Sequence, residues 1–158
     1  MSFSSWLKSL FGGAPKPAGP PRTVRKFGVG DSTLSRDRVR VVQDGWLIDS
    51  SGNEVIRFFE IADTQVEQCL LTYRAKIKTE ALSGRAYLEM WCRFPGRGEF
   101  FSKGVNQTVS GTTDWVSNET PFYLKKGERP DLIKLNVAVE GKGKVLVKDL
   151  ELLATPLS

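Results

Sequence analysis

Between Ala86 and Phe94 the chain alternates strictly, with Tyr87, Glu89, Trp91 and Arg93 set against Ala86, Leu88, Met90, Cys92 and Phe94. On a β-strand the second set faces one way, and two aromatics, an acid and a base face the other. That mixture suits sugar chemistry. Aromatic rings cover the apolar faces of pyranose rings, while charged groups bond to hydroxyls. The bland reading is that Trp91 and Tyr87 lie beneath a loop or the N-terminal segment. In LIKLNVAVE, Lys134 and Asn136 alternate with Ile133, Leu135, Val137 and Val139. They point away from that strand's core side and become companions of Trp91 if the two strands share a sheet.

Several other chemistries are excluded or weakly supported. The chain has no histidine, which removes the commonest general base and metal ligand together with every Ser-His-acid or Cys-His arrangement. Cys69 and Cys92 lack CxxC spacing and sit in apolar alternating segments. Buried free thiols in a reducing compartment are expected, which places the protein in the cytoplasm. An inter-strand disulfide and a reactive thiol are the alternatives. A hydrolytic pair needs two carboxylates about 5–9 Å apart, and only Glu89 and Glu99 are candidates. The glycines of GRG and GKG lack the strand–helix context of a phosphate loop. A binding module is expected rather than an enzyme.

Charge is concentrated at the start. Seven of the 23 basic residues and two of the 18 acids fall within residues 1–38. The remainder is balanced, so nucleic acid is not an expected partner. Residues 1–13 form an amphipathic segment in which Phe3, Trp6, Leu7, Leu10 and Phe11 follow helical spacing and Gly12-Gly13 ends the element. The pattern is periodic rather than a continuous signal-peptide core. A helix this short needs a surface. The candidates are an anionic membrane, a partner protein, the body of its own chain, or a second copy in a homo-oligomer; an end with no role is the remaining reading. Residues 14–37 read as a Pro/Gly-rich basic linker, and the stiff APKPAGPPR stretch argues against docking onto the body.

The elements that must position the alternating face lie in residues 38–158. Segments VRVV, GWLIDS, EVIRFFEI, CLLTYRAKIK, RAYLEMWCRF, GEFFSKGV, TTDWVSNETPFYL, LIKLNVAVE and KVLVKDLELL read as strands between turn-forming stretches. In CLLTYRAKIK, Cys69, Leu71, Tyr73, Ala75 and Ile77 should enter the core. Trp115 reads as an edge or core plug, and Asp149 as a ligand for a cation or a backbone group. With about eight strands and no helical pattern between them, the fold class is all-β: an antiparallel β-sandwich of jelly-roll type, with a barrel second.

The segments GRAYLEMW (84–91), SGTTDW (110–115), LIKLNVAVEGKGKV (132–145) and VKDLELL (147–153) together resemble jelly-roll domains of the galactose-binding-like superfamily. The likeness is particularly to bacterial carbohydrate-binding modules, well over residues 68–153 and loosely over 38–67. The resemblance implies two packed sheets and a noncatalytic ligand face, either a concave aromatic-lined sheet or a loop-edge cleft. Tyr87, Trp91, Lys134 and Asn136 match that face. It also implies a structural calcium at Asp149. The expected ligand face comprises Tyr87, Glu89, Trp91, Arg93, Lys134 and Asn136, and the expected partner is a glycan or another polar ligand. The alternative is a protein-interaction or scaffold domain, peripheral to the membrane through residues 1–13.

Overall fold

The computed structural model describes residues 16–158, so the amphipathic segment of residues 1–13 lies outside the described residues. The described chain is all-β. Its strands are β1 (Arg22–Phe27), β2 (Arg40–Val42), β3 (Gly45–Ser51), β4 (Glu54–Ala62), β5 (Cys69–Glu80) and β6 (Leu82–Phe94). They continue as β7 (Gly98–Lys103), β8 (Val109–Gly111), β9 (Val116–Leu124), β10 (Leu132–Glu140) and β11 (Lys142–Pro156). The nine segments expected from alternation all fall on strands; β1 and β8 are additional.

Two antiparallel sheets pack face to face as a jelly-roll sandwich. The first runs β2-β3-β11-β5-β9, with β1 paired to the second half of β11. The second runs β4-β10-β6-β7, with β8 paired to the start of β6. Alternation decides what lies between them. From β5 come Leu71, Tyr73, Ala75 and Ile77; from β6, Ala86, Leu88, Met90 and Cys92; from β10, Ile133, Leu135 and Val137, all without solvent exposure. Each large apolar side chain buried this way contributes about 1.5–3 kcal/mol. Trp46 packs edge-on against Phe58 and Phe59 at one end of this core.

Residues 16–37 differ from the expected linker. Pro17 bridges to Leu157, and the Ala18 N–H donates to the Pro156 carbonyl at 2.8 Å. Strand β1 then follows β11 through a bulge, and Phe27 stacks on Phe59 at 4.0 Å. The bulge explains why alternation failed to reveal β1, since it breaks the period of two. The exposed Arg22, Arg25 and Lys26 protect an edge that would otherwise invite pairing with another chain.

Two close approaches fix the ends of the sandwich. A Cβ on Gly84 would lie 1.9 Å from the Glu140 carbonyl oxygen, so β6 can enter beside β10 only as glycine. Gly143, at φ +146°, passes against Leu82. The GKG motif is therefore a tight turn that carries the chain from β10 in the second sheet to β11 in the first. Trp115 sits half-buried between β8 and β9, with the Lys148 ammonium 4.3 Å from its ring.

One polar bond crosses the core. The buried Tyr73 hydroxyl on β5 donates to the Asn136 carbonyl on β10 at 3.1 Å. It does so where the β4–β10 register shifts and Phe58 is left without an opposite number. Cys69 and Cys92 are free, buried and on different sheets; burial pushes the Cys69 thiol up to about 11 and raises Cys92 as well.

Two outcomes follow from this interior. Tyr73→Phe strands a buried carbonyl and should cost about 1–3 kcal/mol in urea unfolding, with an unchanged m-value. A loss near zero would mean that water replaces the hydroxyl. Both thiols stay protonated below their raised pKa values, so at pH 8 neither should react with a disulfide reagent until denaturant is added. Rapid labelling of either in the native protein would contradict the burial.

Candidate binding face

The outer face of the second sheet is assembled by register. Along β6–β10, Lys134 lies opposite Trp91, Asn136 opposite Glu89 and Glu140 opposite Arg85. Along β6–β7, Phe101 lies opposite Trp91, Lys103 opposite Glu89 and Glu99 opposite Arg93. Trp91 thus stands mid-sheet between Lys134 and Phe101. The condition set by the sequence, that the Trp91 and Lys134 strands share a sheet, is met by direct pairing.

These residues occupy two depths. Glu89 and Asn136 are each 5% exposed, and Tyr87 is 7% exposed. Beneath the surface, Glu89 Oε1 accepts from the Trp91 indole N–H at 2.8 Å and from Asn136 Nδ2 at 3.0 Å. The Lys103 ammonium lies 3.9 Å from Glu89 Oε2. A buried carboxylate needs such partners, because an unpaired one costs several kcal/mol. The same bonds hold the indole by its N–H edge and fix the ring on the sheet.

At the surface, Phe101 is 55% exposed and its ring leans on Trp91 at 5.2 Å between centroids. The Lys103 ammonium sits 4.8 Å from the Phe101 ring. Ion pairs frame the aromatic pair. Lys134 meets Glu99 at 2.7 Å, and Arg93 meets Asp131 through two bonds of 2.9 and 3.3 Å. Hydrogen bonding from Arg93 holds the Asp131 carboxyl below its ordinary range.

Tyr87 forms the far end. Arg85 lies over its ring, and its hydroxyl donates to Glu140 Oε2 at 3.2 Å. Burial first, and then the Glu140 carboxylate, raise the Tyr87 phenol. Arg85 in turn lowers Glu140. Tyr87 is therefore packed into the sheet rather than presented as an open platform.

The face balances its charge. Arg85, Arg93, Lys103 and Lys134 are matched by Glu89, Glu99, Asp131 and Glu140 in named pairs. Such a surface offers donors and acceptors around an apolar strip without a field that would select a polyanion. Glu89 and Glu99 do not form a hydrolytic pair. They lie four positions apart along the β6–β7 ladder, about 13 Å of strand, beyond the reach that paired carboxylates need.

Of the six residues expected on the face, Trp91, Arg93 and Lys134 reach the surface, whereas Glu89, Asn136 and Tyr87 are buried beneath it. Phe101 and Lys103 were missed. The signal was present in GEFFSK, but two consecutive phenylalanines leave the outward one undefined until β7 is registered on β6.

Asp149 lies on the other sheet. It adopts φ +52° at the β11 bulge, where its carboxylate is exposed and lies 3.6 Å from the Lys76 ammonium. Calcium takes six to eight oxygen ligands. No cluster of three or more potential metal-binding side chains occurs among the described residues. Asp149 shares its depression with Glu151, and two carboxylates already facing Lys76 and Arg74 do not supply the oxygen shell of the calcium expected there.

No protein-family model and no curated protein sequence matches the chain. Solved structures do. The CBM22-1 xylan-binding domain of Xyn10C from Paenibacillus barcinonensis matches with a TM-score of 0.55 at 12% identity, over 89% of this chain and 99% of that one. The family 30 carbohydrate-binding module of the Clostridium thermocellum cellulosomal cellulase Cel9D-Cel44B matches at 0.51 and 13% identity, over 85% and 97% of the two chains. A CBM4 structure matches at 0.53 and 12% identity, over 82% and 78%. The fold is thus the jelly-roll sandwich of carbohydrate-binding modules. At these identities the likeness is one of architecture.

Removing the buried acceptor tests how the face is held. Glu89→Ala should cost about 2–3 kcal/mol by stranding the Trp91 and Asn136 donors, and should shift the tryptophan emission. Glu89→Gln keeps a carbonyl acceptor and should lose clearly less. Equal losses would show that the hydrogen bonds do not set the cost.

Proposed function

We propose that this protein is a noncatalytic binding module for a neutral oligosaccharide, held on the outer face of the second sheet. The observation that carries this reading is the Trp91–Phe101 pair, anchored below by Glu89 and Asn136 and framed by ion pairs at its sides. A pyranose has apolar C–H faces and a rim of hydroxyls. Trp91 and Phe101 supply surfaces for the faces. Lys134, Glu99, Arg93 and Asp131 supply donors and acceptors for the rim.

Charge balance favours a neutral glycan over a phosphorylated or sulfated one, because each cation on the strip already has its anion. Fold neighbours support the class of ligand: the Paenibacillus domain is described as xylan-binding. Neutral β-linked chains such as xylo- and gluco-oligosaccharides are therefore the first ligands to try. Nothing in the reading needs a metal or a reacting carboxylate.

Titration of tryptophan emission against a panel of soluble glycans tests it. A saturable shift is expected with the wild type and with Phe101→Ala, where Trp91 still reports, but with Kd raised at least about tenfold in the variant. Trp91→Ala should abolish the shift while circular dichroism stays native. A flat wild-type response across the panel would sink the reading in favour of a protein-interaction domain.

A further inference from the structure

Beside the ligand face, the two sheets meet at a lateral opening between β7 and β9. Their backbones are stapled there by the Ser102 and Thr120 hydroxyls, 2.6 Å apart. Phe101, Val105, Pro121, Phe122 and Tyr123 line an apolar groove of about 450 Å³ along this opening. Val105 is 44% exposed, and Phe122 packs onto the core from below.

The described chain begins close by. Pro17 bridges to Leu157 at the end of β11, where Pro156 pairs with Cys69 on β5 and Cys69 pairs with Leu124 on β9. Lys16 is thus about three strand spacings, roughly 14 Å, from the Leu124 end of β9, and Phe122 lies two residues, about 7 Å, further along that strand. Residues 12–15, Gly-Gly-Ala-Pro, reach about 13–14 Å when extended. They lead directly to the stripe of Phe3, Trp6, Leu7, Leu10 and Phe11.

The geometry points to the N-terminal segment, residues 1–11, as the occupant of the β7–β9 groove of its own chain. The proline-rich stretch that argued for a free spacer is zipped onto β11 from Pro17 onward, so the effective tether is only four residues. A tether that short has to be nearly extended to span this gap, but it makes docking an intramolecular event. An external surface must outcompete this. A two- to three-turn amphipathic helix gains from such a site the apolar contact it lacks in water. Once docked, it would lie against Phe101. The inference does not rest on the ligand being a glycan.

Crosslinking in the full chain tests it. Ser9→Cys, off the apolar stripe, is combined with Val105→Cys at the groove, or with exposed Val41→Cys on β2 at the opposite lateral edge. The native thiols are buried. A short bismaleimide should link position 9 to position 105 at monomer mobility at least about tenfold faster than to position 41. That advantage should vanish when Leu7, Leu10 and Phe11 are replaced by serine. Equal rates at both positions would overturn the proposal, as would crosslinks formed only between two copies. Slow crosslinking at position 105, together with co-flotation on phosphatidylcholine–phosphatidylglycerol vesicles, would overturn it too and assign the segment to a membrane instead.

Discussion

Burying a carboxylate on a sheet face is expensive, and the architecture of the candidate site follows from how Glu89 meets that cost. Its oxygen takes bonds from two strands, through the Trp91 indole on β6 and the Asn136 amide on β10, with Lys103 on β7 nearby. Three adjacent strands are thereby locked at one register. The indole can neither turn its N–H away nor lift from the sheet without stranding buried polar atoms. A flat apolar surface is thus fixed by the fold itself, and such order in advance lowers the ordering cost of the binding proposed for it.

The opposite side of the same strands carries the fold. Leu88, Met90 and Cys92 enter the core between the residues that build the face, and Leu135 and Val137 do so on β10. A slip of one residue would exchange the two sets. Core packing and site geometry are therefore one constraint. The Tyr73–Asn136 bond strengthens the link, because the residue whose amide holds Glu89 also receives, through its carbonyl, a hydroxyl from the other sheet.

The two sheets differ in how their outer faces are finished. The first carries mixed charges, with Arg74 paired to Glu151 and Lys76 facing Asp149. It presents no aromatic pair comparable to Trp91 and Phe101 among the described residues. On the second sheet, ion pairs border a ring surface instead of covering it. That contrast localises the proposed function to one side of the sandwich, and the β7–β9 opening lies at its margin.

Alternation in the amino-acid sequence determined every strand except β1 and β8, their core sides and the outward set at Tyr87, Glu89, Trp91 and Arg93, because side chains on a strand must alternate. Lack of histidine removed the commonest catalytic arrangements. Tertiary structure decided what alternation cannot encode. Strand neighbours depend on long-range pairing, so only the fold placed Phe101 beside Trp91 and sank Glu89, Asn136 and Tyr87 below the surface. The β1 bulge and the Pro17 bridge had no periodic signature, and the expected linker became part of a sheet. Asp149 looked like a metal ligand by its place in the final strand, but coordination needs several oxygens converging in space. The local sequence supplied Asp149 and Glu151, and only the fold set an ammonium and a guanidinium beside them.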